Sequence, residues 1–82
     1  MTEIEVRENR FYVLRIKREK VEEITIHGEI GSSIRRIRDA LKEGVDPDRV
    51  ELMSIEIKGE KFEIKGVPWS IIAVELVRGV KE

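Results

Sequence analysis

Eighty-two residues with no cysteine, a single histidine and a formal charge of -1 exclude a disulfide framework and a thiolate metal centre, and give no global field for nucleic acid or an acidic membrane. The chain is 40% charged and 40% hydrophobic, and its apolar part is mostly β-branched, with 12 Ile and 9 Val against 4 Leu, which favours strands over a helical bundle. So short a chain holds one core, a single domain over residues 1–82, and it offers no acid, base and nucleophile to nominate, so the expected function is non-enzymatic.

At the start of the chain Ile4 and Val6 alternate with Glu3, Glu5 and Arg7. This is a strand pattern without the uninterrupted apolar run of a signal peptide or membrane anchor, and a cytoplasmic location is expected. A second run places Phe11 and Val13 on one face and Tyr12, Leu14 and Ile16 on the other. After the polar turn Arg18-Glu19-Lys20, residues 21–27 alternate again, with Ile24 and Ile26 sharing a face opposite Thr25 and His27. The first third therefore predicts a three-stranded meander.

Past Gly28 and Gly31 the period changes. Ile34, Ile37, Ala40 and Leu41 recur at helical spacing and predict a helix over 33–43, with Ser32 or Ser33 as its cap, Ile30 as a staple and Gly44 just past its end. Val45-Asp46-Pro47-Asp48 is a turn. In the next strand, residues 50–57, the apolar parity shifts from Val50 and Leu52 to Met53, Ile55 and Ile57, which predicts a bulge near Leu52 or Met53. Lys58-Gly59-Glu60-Lys61 fits a tight hairpin, and Phe62 and Ile64 carry the return strand to Gly66.

Residues 68–78 support two readings. As a helix, Trp69, Ile72, Ala73 and Leu76 line one face behind Pro68; as a buried strand, Ile71, Ile72, Val74 and Val77 supply β-branched residues on both faces. The strand completes a second meander and is preferred. The expected fold class is α+β, a mostly antiparallel sheet of about six strands in two three-stranded meanders with one main α-helix.

Two regions carry candidate chemistry. Asp39, Glu43, Asp46, Asp48 and Glu51 cluster in sequence where the helix hands over to the next strand. A hard cation such as calcium takes several oxygen ligands at flexible distances, so this acidic turn is the candidate divalent-cation (metal) site, although its spacing is not that of an EF-hand. The plainer reading makes Asp46 and Asp48 turn formers and pairs Asp39 and Glu43 with Arg35, Arg36 or Lys42. The second region is Gly28, Gly31, Ser32, Ser33, Arg35 and Arg36, where glycines, hydroxyls and arginines at a helix start can hold a phosphate.

Gly28-x-x-Gly31-x-x-Ile34-Arg35-Arg36-Ile37 is similar to the K-homology RNA-binding motif, over about a dozen residues. The resemblance implies that Gly28 and Gly31 approach a sugar-phosphate backbone while Ile34 and Ile37 line or support an apolar groove. The loop centre here is Glu29-Ile30, where that family is usually basic, and residues 21–26 alternate like a strand where the family has a helix. Capping explains Ser32 and Ser33 without a ligand, His27 reads as a strand-end residue, and Trp69 and Phe62 read as core anchors, with Pro68-Trp69 the alternative of an exposed partner-binding knob.

Few amides, no thiols and abundant Glu, Lys and Arg suit a hot environment. In composition and strand pattern the chain resembles small α+β proteins of thermophilic methanogenic archaea. The expected role is a binding or interaction module with a weak calcium site, the alternative a K-homology-like nucleic-acid-binding module. The expected partners are a protein, or a second copy joined through an open sheet edge, the Ile4 strand or the final segment, and no membrane.

Overall fold

The computed structural model describes residues 9–80; the strand expected around Ile4 and Val6 lies outside them. The chain forms β1 (Asn9–Lys17), β2 (Glu22–His27), α1 (Ile30–Lys42), a 3-10 turn (Pro47–Arg49), β3 (Val50–Lys58), β4 (Lys61–Gly66) and α2 (Trp69–Val80). The strands make one antiparallel sheet in the order β2-β1-β3-β4. The class is α+β as expected, but among the described residues there are four strands and two helices, two ββα units in place of two meanders around one helix.

The core lies between the sheet and the helices. Leu14 and Ile16 from β1, Val50 and Leu52 from β3, Ile34, Ile37 and Ala40 from α1 and Ile72 from α2 are its buried apolar side chains. Each large one contributes about 2 kcal/mol through the area it removes from water. Alternation puts Leu14 and Ile16 on the helix side with Tyr12, and Phe11 and Val13 on the other side, as the sequence predicts.

α1 starts at Ile30, so Ser32 and Ser33 lie inside its first turn and do not cap it. Glu29 holds the cap position without a side-chain bond. The two hydroxyls turn back instead, Ser32 Oγ donating to Glu29 O at 3.0 Å and Ser33 Oγ to Ile30 O at 2.6 Å, the bond open to a serine within a helix. At the other end Gly44 takes φ 97°, while its N–H donates to Leu41 O at 3.1 Å and that of Val45 to Ala40 O at 3.0 Å. This is a Schellman closure, which favours glycine.

Two expectations for the second half are corrected. β3 carries no bulge: its pairing with β1 runs without interruption from Asn9↔Ile57 to Ile16↔Val50. The parity shift has another cause, since Val50 and Leu52 face the helices while Met53, Ile55 and Ile57 occupy the opposite face. Residues 68–78 are helical, not a strand. The Val67 N–H bonds Leu52 O at 2.8 Å, and Pro68, with no N–H to give, ends the pairing. Ile71 and Ile72 then donate to Pro68 O at 3.0 and 3.2 Å, which opens α2.

Candidate functional site

The acidic residues at the end of α1 are divided between two sides of the sheet. Asp39 is exposed on α1, Glu43 closes that helix, and Asp46 caps the 3-10 turn by accepting the Asp48 N–H at 3.0 Å. Glu51 alternates with buried Val50 and Leu52, so it stands on the helix-free face, beside Arg15 in the neighbouring strand. The Glu43 carboxylate receives Arg18 Nη2 at 2.9 Å and lies 3.7 Å from Arg36 Nη1. Among the described residues no three His, Cys, Asp or Glu side chains converge on a point where an ion would sit.

Glu43 belongs instead to a closed ring of charges. Arg36 donates twice to Glu23, at 2.6 and 2.7 Å, and Arg18 lies 3.5 Å from Glu23 and 2.9 Å from Glu43. The ring ties α1 to β2 and to the turn after β1. The hydrogen bonds from Arg36 hold the Glu23 carboxyl below its ordinary value against the opposing effect of desolvation, and the same pair raises Arg36. Two-point guanidinium–carboxylate geometry makes this a strong charge contact, fixed in orientation as well as distance.

The glycine loop is similarly occupied by its own chain. Ser33 is fully buried, and Ser32 Oγ lies 3.0 Å from His27 Nδ1 while Thr25 Oγ1 lies 2.8 Å from Nε2. With the Ser32 proton directed at Glu29 O, the Ser32 oxygen accepts from Nδ1–H and Nε2 accepts from Thr25. His27 is the last residue of β2, as its place in the sequence suggests. A strand, not a helix, leads into the loop. A Cβ at Gly28 or Gly31 would meet nothing within 4 Å, so neither glycine is required by a close contact within the chain. Arg35 is exposed beside a groove between α1 and α2, where Arg38 donates to Leu76 O at 3.2 Å and Arg78 lies 3.6 Å from Glu75. Of the residues proposed for an anion, Arg36, Ser32 and Ser33 are therefore held by internal partners.

Among the described residues, no helix or loop packs on the helix-free face of the sheet. Registers place Ile26, Val13, Met53 and Gly66 in one row across the four strands, then Phe11, Ile55 and Ile64, then Ile57 and Phe62. Ile24 extends the apolar surface along β2 beside Arg15 and Glu51. Both helices lie on the other face, against the cluster around Leu14 and Leu52. Ile26 is 73% exposed and Phe62 67% exposed, and Ile24 and Ile64 are more than half exposed.

Phe62 is thus not a core anchor. Trp69, 36% exposed at the first position of α2, is not among the core side chains either. The signal for the open face was present in the sequence: Ile24 with Ile26, Phe11 with Val13, and Met53 with Ile55 and Ile57 are same-face sets. Which face the helices would take was not readable from it. Set against protein-family models, curated proteins and solved structures, the chain matches none of them.

Proposed function

We propose that this chain is a non-enzymatic interaction domain whose working surface is the helix-free face of its sheet, which binds a folded protein through apolar contact. The observation that carries this reading is the apolar surface running unbroken across four strands from Ile24 and Ile26 to Ile64 and Phe62. Contiguous apolar patches larger than a few hundred Å² are rare on monomers and mark interaction sites. Polar side chains enter this face at its ends, Arg15, Lys17, Glu22 and Glu51 at one and Asn9 beside Ile57 at the other, which gives it the apolar centre and polar border of an interface.

The calcium and nucleic-acid readings rank below it because their residues are divided by the sheet or engaged with one another. The test compares the wild-type chain with Ile26→Lys. The surface registers either as assembled mass, when a partner covers it, or as emission from the apolar dye anilinonaphthalene sulfonate, when it is bare. Ile26→Lys lowers whichever is seen, at unchanged circular dichroism. A monomeric wild type as dark to the dye as Ile26→Lys overturns the reading.

A further inference from the structure

We propose that the bare face is closed by a second copy of this chain, sheet on sheet, about a two-fold axis that runs parallel to the strands between β1 and β3. The inference rests on the interaction reading above and names its partner. Area is the first argument. Same-face neighbours lie about 6.8 Å apart along a strand and strands lie about 4.8 Å apart, so the apolar rows span a square roughly 20 Å on a side. With side-chain relief, joining two such squares removes on the order of 1,200 Å² from water in total, which reaches the size of a specific interface.

Charge placement is the second argument, and it selects the axis. Two identical sheets meet face to face with aligned strands about an axis either across the strands or along them. An axis across the strands would keep each strand over its own copy and lay Glu51 of β3 on the partner's Ile57 and Arg15 of β1 toward the partner's Asn9 and Phe11, stripping water from charges with no opposite charge to replace it. An axis along the strands lays the charged end on its own copy. Arg15 then falls opposite the partner's Glu51, and Glu51 opposite the partner's Arg15, because β1 and β3 are neighbours across the axis and these two residues are register partners.

The same operation brings Ile26 of β2 over the partner's Gly66 in β4, since both stand in the row through Val13 and Met53. Gly66 has no side chain, and a Cβ there would meet nothing within 4 Å. The most exposed of the large apolar side chains on the face therefore meets a gap in it. A surface that matches itself in shape and in charge under one rotation is what a two-fold interface requires.

The test is sedimentation of the full chain from about 5 to 500 µM, a span that reads association free energies of micromolar to sub-millimolar complexes, with the dye measured in parallel. A dimer is expected for the wild type. Ile26→Lys and Phe62→Lys, on opposite edges of the sheet, are each expected to weaken it at least about tenfold, as a desolvated charge does, with circular dichroism unchanged. Glu51→Arg alone weakens the dimer, because it sets an arginine against the partner's Arg15 across the axis. A wild type monomeric at the highest concentration overturns the inference, and so does a dimer indifferent to Ile26→Lys and Phe62→Lys, which would place the contact at a sheet edge or on the outer side of α2. A monomer whose dye emission falls in Ile26→Lys overturns the second copy alone and leaves the interaction reading standing; a monomer dark in both overturns both.

Discussion

The two faces of the sheet are apolar in different places. On the helix side the apolar residues crowd one end, Leu14 and Ile16 with Val50 and Leu52, while the other end holds Arg10, Ser54, Glu56 and Glu63. On the bare side the distribution is reversed, with Arg15 and Glu51 opposite the buried end and Phe11, Ile55, Ile57 and Phe62 behind the polar end. Each stretch of strand is thus apolar mainly on one side, and the side switches midway. The difference teaches that β3 serves two cores in sequence, one closed within the chain and one that stays open without a partner.

Adjacent residues of β3 give the largest expected separation between the faces. Leu52 is 1% exposed beneath the helices, while Met53 faces the open side. Leu52→Ala should cost about 3 kcal/mol of unfolding free energy, as lost transfer plus a cavity. Met53→Ala, measured at a concentration too low for assembly, should cost less than about 1 kcal/mol, as a partly exposed position does. Urea denaturation of both variants checks this, and equal losses would mean that the two faces are not different in kind.

Smaller effects concern the seating of α1 on the covered face. Gly44 holds the closure of that helix at φ 97°, and Gly44→Ala should cost about 1 kcal/mol in thermal or urea unfolding, because a Cβ is disfavoured in that conformation. Glu23→Gln removes the carboxylate that accepts both Arg36 bonds, at a site only partly open to water, and should cost about 1 kcal/mol near neutral pH. The sign with pH follows from the direction of the shift. Glu23 is held below its ordinary value in the folded chain, so its contribution is complete above the ordinary carboxylate range and is lost as pH falls through the lowered value. Wild type and Glu23→Gln should therefore begin to converge in stability as pH falls out of the ordinary carboxylate range and meet below the lowered value. A gap that persists there would assign the effect to packing instead of charge.

Much of the covered face was legible in the sequence. The alternation of Tyr12, Leu14 and Ile16, the helical spacing of Ile34, Ile37 and Ala40, and Gly44 at the helix end each follow from local periodicity. α2 was not legible, because Ile71, Ile72, Val74 and Val77 put β-branched residues all round the segment. Among the described side chains of α2 only Ile72 is buried and Leu76 packs beside it, while Ile71, Val74 and Val77 are exposed. An outward face that apolar hides the 3.6-residue period which marks an amphipathic helix. The candidate surface was half legible: period-two patterns show which residues share a face, but the side covered by helices depends on where α1 and α2 dock, and no local signal records that.

The smallest expected effect tests the division of the acidic turn by the sheet. Calcium needs several oxygens around one point, yet Glu51 stands on the bare face, Glu43 is engaged by Arg18, and Asp46 already accepts the Asp48 N–H. Gathering them would require breaking the charge ring and passing Glu51 through a paired strand, at a cost that a weak surface site does not return. Titration of labelled protein with calcium to about 5 mM, strong enough to load sites of millimolar affinity, should leave the amide signals of residues 39–51 in place. Saturable shifts at Asp46 and Asp48 would show that a cation can be held from the helix side alone. A response at Glu51 in the same titration would mean that the strand beneath it can turn over, and the separation of the faces would fail with it.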